Sequence, residues 1–486
     1  MTDLAPRTAD AATSTTLSAD ICVIGAGSGG LSVAAAAASF GQKVILIEKH
    51  KMGGDCLNYG CVPSKALLAA GKRAQAMRSA AKFGIMAVEP QIDYGAVHDH
   101  VQGVIAAIAP NDSVERFTGL GVRVIQAPGR FIDSRTVGAG DYRITARRFV
   151  IATGSSPFVP PIAGLESVPY FTNETIFDNT RRLDHLIVIG GGPIGLELAQ
   201  AHRRLGCKVT VLEAATILPK DDPDAVAVVR ARLAAEGVSI VEGAKVARVS
   251  GSGAGVAVAF SKDGRTETVD GSHLLVAAGR RPNVEDLGLE AAGVSVTAKG
   301  IAVDARLRTS NRSVYAIGDV AGGYQFTHIA GYHAGIVIRN VMFRVPARVD
   351  YRAVPWVTYV DPELAHVGQH LEDARKTDAS ASAVTWALVE NDRAQAERET
   401  EGFIKAVVGR GGRVLGATIV GRNAGELLLP WVLAVQKRMR IRDMTDVIAP
   451  YPTLSEISKR VAGAYYTPTL FSDRTRRVVR LLRWLP

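Results

Sequence analysis

Residues 21 to 48, ICVIGAGSGGLSVAAAAASFGQKVILIE, and residues 186 to 213, LIVIGGGPIGLELAQAHRRLGCKVTVLE, align without a gap at an offset of 165. Each is a short apolar run, Gly-x-Gly-x-x-Gly, an Ala- or Leu-rich helical stretch, a Gly, a second apolar run and a Glu: strand, turn, helix, strand. In such a unit the first two glycines, Gly25 and Gly27 or Gly190 and Gly192, allow a tight turn and bring backbone close to a pyrophosphate. The third, Gly30 or Gly195, lets helix and strand pack closely, and the helix start offers unpaired amides to the phosphates. Glu48 and Glu213, each eighteen residues past the third glycine, are placed to bind a ribose diol. One Gly-x-Gly-x-x-Gly alone is weak evidence, because glycine turns open many helices. Strand, helix and acid twice at one spacing predict two dinucleotide sites. A carboxylate at Glu213 repels a 2′-phosphate, and Ala214, Ala215 and Thr216 supply no Arg to bind one, so NADH is favoured over NADPH. Basic residues arriving from elsewhere in the chain are the alternative.

The surrounding composition suits an enzyme of about three domains: 486 residues, 47% hydrophobic and 21% charged, too apolar for a disordered chain. Lys and Arg number 57 against 47 Asp and Glu, a net charge of +10. The last twenty residues hold five Arg and one Asp, which leaves about +6 for the body. That excess suits anionic small molecules, and no zinc-finger spacing or RNA-binding motif supports a nucleic-acid partner. No apolar run is long enough to span a membrane. Residues 1 to 18, rich in Thr, Ala, Ser and Asp, read as a disordered leader rather than a signal peptide, and a cytoplasmic location is expected.

Four cysteines are too few for a secreted disulfide framework. Two of them stand in GGDCLNYGCVPSK (53 to 65), where Pro63 suits a first helical turn and so places Cys61 at a helix start, where the dipole favours a thiolate. A short loop can bring Cys56 into disulfide range. Zinc needs further ligands that neither cysteines nor a His cluster supply, so no metal is assigned. The reading is a redox-active pair, with structural thiols as the alternative. Lys65, at i+4 from Cys61, shares its helix face, and Glu197 is a candidate ion-pair partner, both being solvated surface charges on the plainer view. Cys22 and Cys207 lie in apolar strands and read as small buried hydrophobes.

With two dinucleotide motifs flanking GGDCLNYGCVPSK, the chain resembles the class I pyridine nucleotide-disulfide oxidoreductases, the flavoprotein family of dihydrolipoamide dehydrogenase, glutathione reductase and mercuric reductase, over residues 19 to 465. FVIATGSSP (149 to 157), LLVAAGRRPN (274 to 283) and VYAIGDV (314 to 320) are similar to further motifs of that family, and VPWVTYVDPELAHVG (354 to 368) and GFIKAVVGRGGRVLGATIVG (402 to 421) to its dimerisation domain. The resemblance implies an α/β fold with two Rossmann-like dinucleotide-binding domains and a C-terminal α+β dimerisation domain. Its divisions fall at 1–18 for the leader, 19–160 and 281–350 for the FAD and central domain, 161–280 for the NAD domain, 351–465 for dimerisation and 466–486 for a basic amphipathic tail. FAD would be held by Gly25, Gly27, Gly30, Glu48, Gly54, Thr153, Gly154, Gly318 and Asp319, with Asp319 on the ribityl chain, and NADH by Gly190, Gly192, Gly195, Glu213 and Gly279. Cys61 would lie next to the flavin, Cys56 would meet substrate, and Lys65 and Glu197 would flank the flavin ring. The resemblance implies a homodimer that passes hydride from NADH through FAD to the Cys56/Cys61 disulfide and on to a small-molecule disulfide or thiol acceptor.

One departure bears on the acceptor. Where dihydrolipoamide dehydrogenase and glutathione reductase carry a proton-shuttling His before Pro-Thr, this chain has Tyr451 in APYPTLSE (449 to 456), while Glu456 remains. A phenol with a pKa of about 10 is a poor base at neutral pH. Mercuric reductase resembles this arrangement, which makes a thiophilic metal ion the alternative acceptor, yet no cysteine follows Cys207 to deliver one. A flavin-only NADH:quinone dehydrogenase and a non-enzymatic redox scaffold stay open as well. His328 and His333 read as structural histidines. In the tail, RTRRVVRLLRWLP (474 to 486), Val478, Leu481, Leu482 and Leu485 share one helical face and Arg476, Arg480 and Arg483 the other. Such a helix can lie on an anionic membrane or bind a partner, and docking on its own dimer or fraying in solvent is the plainer account.

Overall fold

Every residue of the strand Val44–Glu48 is buried, as expected for an apolar run, VILIE, covered on both faces. It pairs in parallel with Thr15–Ile24, which pairs in parallel with Tyr142–Ile151; Ile21 sits opposite Val44, and Ile24 opposite Ile151. Arg123–Gln126 extends the sheet on one side. On the other, Tyr142–Ile151 carries Val314–Ala316 in parallel along its second half and leads back through the antiparallel strands Thr136–Ala139 and Gly129–Phe131. This computed structural model describes residues 15–253 and 255–484. They form two compact units, the first holding the chain up to Pro63, Asp99–Phe158 and Gly279–Val349, the second Ser64–His98, Val159–Ala278 and the chain from Asp350 onward.

In the first unit, alternation along the strands feeds two cores. Ile21, Val23, Leu46 and Val150 pack with Leu31, Val33 and Ala34 of the helix Ser28–Ser39 and with Ile336 and Val337 of the helix Thr327–Val341. Cys22, Ile24, Ile45, Ile47, Phe149 and Ile151 point to the opposite face, against Phe131 and Ile144.

The second unit combines three sheets. A parallel one runs Val238–Glu242, Lys208–Glu213, His185–Ile189, His273–Val276, and a meander follows of Lys245–Ser252, Gly255–Lys262 and Arg265–Gly271. The third is antiparallel, in the order Pro355–Thr358, Glu363–Gly368, Val414–Gly421, Phe403–Val408, Ser382–Ala387. Its core surrounds the fully buried Trp431, whose indole N–H donates to Ser458 Oγ at 3.0 Å. Within this unit the buried Arg204, in the helix Pro193–Arg204, pairs with Glu236 at 2.6 Å and with Asp361 at 2.9 Å. Removing one member of such a buried network strands a charge, so these residues stitch the nucleotide-binding part to the third sheet.

Two placements differ from the sequence reading. Thr15–Ser18, assigned to the leader, extend the first strand and pair with Tyr142–Thr145, because that long strand offers them a ladder; residues 1–14 lie outside the described residues. Ser64–His98, assigned with the FAD portion, belong to the second unit, and so do both the NAD and the dimerisation segments. The tail is helical as its pattern suggests, over Asp473–Leu482 after the helix Glu456–Leu470, with Leu485 outside the described residues.

The two nucleotide motifs repeat in three dimensions. Gly25 and Gly190 have φ of 104° and 116°, and a Cβ on either would strike the carbonyl of Ala152 or Ala277. A Cβ on Gly30 or Gly195 would overlap the carbonyl oxygen of Gly25 or Gly190, so each helix rides directly on the turn before it. Gly195→Ala is therefore expected to cost about 1–3 kcal/mol, seen as a lower thermal midpoint. An unchanged midpoint would show that this close approach is not needed.

Candidate functional site

The turn of the first motif ends at Gly27, which N-caps the helix Ser28–Ser39 with no side-chain acceptor, so no capping side chain takes up its first-turn amides. Glu48, at the end of the neighbouring strand, accepts from Ala26 N at 2.6 Å and from His50 N at 2.8 Å. The second motif repeats this bond for bond: Gly192 N-caps Pro193–Arg204 without a side chain, and Glu213 accepts from Gly191 N at 2.7 Å and Ala215 N at 2.9 Å. In both, each carboxylate oxygen keeps acceptor capacity for a ribose hydroxyl. Beside Glu213, Arg230 is committed to Glu242 at 2.8 Å and to Thr216 at 3.3 Å. Burial works against the charged form of Glu242, but hydrogen bonds from Arg230, Thr216 and Ile217 N outweigh it and draw its pKa down to about 2.

In the first unit the chain leaves Gly54, whose φ is 60° and whose Cα faces that of Gly27, as the short helix Gly54–Asn58 that carries Cys56. Cys61 is the first residue of the helix Cys61–Arg78, as its Pro63 signalled. Both are thiols, Cys61 exposed and Cys56 partly buried, with Cys61 Sγ 3.3 Å from Thr327 Oγ1. The Cys56 thiol is pushed up, first by its hydrogen bond with Cys61, then by burial and by negative charge on Cys61. Two thiols this close titrate as a pair, and charge on the sulfur at the helix start holds the proton on the other. Cys22 and Cys207 are buried as expected, and burial pushes Cys207 up to about 12.

The remaining flavin candidates of this unit meet in one network. Asp319 accepts from Ser155 Oγ at 2.5 Å; Arg280 donates to that same Oγ and to Ser155 O, both at 2.8 Å, and pairs with Asp55 at 3.1 Å. Arg280 thus ties the residue before Cys56 to the segment that holds Asp319. Burial pushes the Asp319 carboxyl up, opposed by the Ser155 hydrogen bond and by Arg280. Thr153 Oγ1 donates to Asn283 O at 2.8 Å, and Asn283 N donates to Gly154 O at 3.0 Å, which fixes the Thr153–Gly154 turn. Gly318 N donates to Nδ1 of the buried His333 at 3.1 Å. Gly279, a nucleotide candidate, belongs to this unit, with φ of 132°.

In the second unit Lys65 Nζ pairs with Glu197 Oε2 at 2.8 Å and lies 4.3 Å over the Tyr359 ring, while Glu197 Oε1 accepts from Tyr359 N at 2.9 Å. Glu197 is almost fully buried, so the view of both as solvated charges does not hold. Tyr451, 67% exposed, donates to Asp392 Oδ2 at 2.9 Å, and that bond pushes its hydroxyl pKa up. Glu456 opens its helix and pairs with Arg460 at 2.6 Å.

Sequence reading passed over Asp55, Ser155, Arg280, Asn283, Thr327 and Tyr359. All but Thr327 stand inside stretches it quoted. Their partnerships span up to 266 residues, and no local pattern marks them.

A family model described as pyridine nucleotide-disulphide oxidoreductase matches residues 19–334, and its dimerisation domain matches residues 354–462. The chain is 36% identical to a dihydrolipoyl dehydrogenase of Geobacillus stearothermophilus over 454 residues, 90% of this chain and 94% of that protein. It is 34% identical to a mercuric reductase of Lysinibacillus sphaericus over 446 residues, 91% of this chain and 82% of that one. Among solved structures, LpdA from Mycobacterium tuberculosis superposes with a TM-score of 0.84 at 30% identity, covering 92% and 99% of the two chains. The HOCl-induced flavoprotein disulfide reductase RclA from Escherichia coli, as its Cu(II) complex, superposes with a TM-score of 0.83 at 28% identity, covering 91% and 99%.

Burial lowers the His333 pKa to about 4. A histidine held neutral below its ordinary value of about 6.5 contributes stability present above pH 6.5 and lost as pH falls toward 4. Thermal midpoints between pH 7 and 4 are expected to fall less steeply in His333→Gln than in the wild type; identical slopes would remove His333 as the cause.

Proposed function

Because the chain belongs to the pyridine nucleotide-disulphide oxidoreductase family, we propose that it moves electrons from NADH, by way of FAD, to the Cys56/Cys61 pair and on to a small disulfide. The observation that carries this is the pair itself: two thiols in hydrogen-bond contact, one at a helix start, joined through Asp55 and Arg280 to the segment that holds Asp319. The first motif fits FAD, with uncapped amides at the start of Ser28–Ser39, Glu48 for the ribose and Asp319 for the ribityl chain. Bound there, FAD would relay two electrons between nicotinamide and thiols. Glu213, with Arg230 engaged by Glu242, supports NADH over NADPH. The dimerisation domain supports a homodimer. Among the described residues no helix is long and apolar enough to cross a membrane.

The cysteines then work as follows. The Cys56 sulfur attacks a substrate disulfide; a Cys56–substrate bond forms as the substrate S–S bond breaks, and the Cys56 proton passes to the departing sulfur. Cys61 attacks the Cys56 sulfur, the internal disulfide closes, and the second substrate thiolate leaves. Two electrons pass from the pair to the substrate. The helix start stabilises Cys61 as thiolate, and Glu197 holds the Lys65 ammonium in place at the second turn of the same helix.

Tyr451 favours a second reading. With its hydroxyl pKa raised by Asp392 it is no general base at neutral pH, but a phenol can hydrogen-bond a thiolate or touch a soft metal ion held by the cysteines, so reduction of a thiophilic metal ion is the alternative.

Anaerobic titration with NADH is expected to consume two equivalents in the wild type, with a long-wavelength thiolate-to-flavin band at the first, and one equivalent in Cys56→Ser, where Cys61 cannot form a disulfide and the band is present before NADH is added. One equivalent in both proteins would move the acceptor to quinones. Tyr451→Phe separates the two readings: disulfide turnover and metal-ion reduction both within about twofold of wild type support the first, whereas a loss of about tenfold or more confined to metal-ion reduction supports the second.

A further inference from the structure

We propose that the helix Asp473–Leu482 docks this enzyme on an anionic lipid bilayer. Ser472 N-caps the helix, accepting from Thr475 N at 3.3 Å, and Thr475 Oγ1 donates to Thr469 O at 2.8 Å, which anchors it to the end of Glu456–Leu470. Although its start is fixed in this way, no residue of the helix is buried. Val478, Val479, Leu481 and Leu482 are 47% to 70% exposed and Trp484 is 89% exposed, with Leu470 and Phe471 exposed at the elbow.

Charge identifies what covers this surface. Arg476 reaches Asp473 at 3.7 Å, but among the described residues Arg474, Arg477, Arg480 and Arg483 have no acidic partner. At 3.6 residues per turn Val478, Leu481 and Leu482 share a face and Arg476, Arg480 and Arg483 the opposite one. A second copy of this chain, itself at +10, offers like charge to that arginine face. A nucleic acid would satisfy the arginines and leave the Val, Leu and Trp side chains in water. An anionic bilayer surface takes both: apolar side chains enter the acyl boundary while the arginines reach outward to the phosphates. Ten residues rise about 15 Å, half the hydrocarbon thickness, so the helix lies in the plane of the surface.

The test is co-sedimentation of the FAD-loaded full chain with vesicles of phosphatidylcholine or of phosphatidylcholine and phosphatidylglycerol in equal parts. Wild type is expected to pellet with the mixed vesicles at least about tenfold better than with the neutral ones, and to be released by high salt. Leu481→Asp with Leu482→Asp should abolish pelleting, and Arg480→Gln with Arg483→Gln should weaken it about tenfold, while NADH oxidation and the mass of the soluble oligomer stay unchanged in both. Failure of wild type to pellet with mixed vesicles overturns the proposal. So does equal pelleting of the leucine variant, which would mark a purely electrostatic patch open to any polyanion, or a change in its oligomeric mass, which would mark self-docking.

Discussion

The third glycine of each nucleotide motif lies against the carbonyl of the first, with no room between them for a methyl group. That contact sets how near the helix can come to the sheet, and so where its unpaired amides face and where the acid on the next strand can reach. Glu48 and Glu213 then close the turns identically, through amides 165 residues apart. A duplicated sequence has become a duplicated hydrogen-bond pattern because a tight turn against a parallel strand has essentially one backbone solution.

The redox centre is hung from the first of these turns. Gly54 packs on Gly27, and the next two residues are Asp55, which Arg280 holds, and Cys56. Arg280 also holds Ser155, and Ser155 holds Asp319, so three segments far apart in sequence share one mostly buried guanidinium. The rigid fork of Arg suits this work, since it donates in fixed directions to several acceptors at once. The cysteine pair is in this way kept in register with the residues that would hold the flavin.

The acceptor side is built with less constraint. Tyr451 is exposed, and its one polar partner, Asp392, raises the pKa of its hydroxyl. Glu456 pairs with Arg460 one turn along its own helix. The scaffold as a whole is common to relatives named for different substrates.

The dinucleotide turns, the cysteine pair at a helix start and the order of the strands could be read from the chain because each depends on neighbours within about thirty residues: glycine where the backbone needs it, alternation where two faces are buried, Pro where a helix begins. The Lys65–Glu197 pair could be suggested from its motifs, but only packing showed Glu197 to be buried, which turns a surface charge into a fixed one. The Arg280 network, the role of His333 as acceptor for Gly318 and the pairing of Thr15–Ser18 with Tyr142–Thr145 had no local signature. Sequence alone determined the fold class and the kind of chemistry, since backbone sterics and periodicity are local. Tertiary structure alone decided which polar groups are paired, which charges are buried and which apolar face of the last helix stays in water, because these depend on what long-range folding brings alongside.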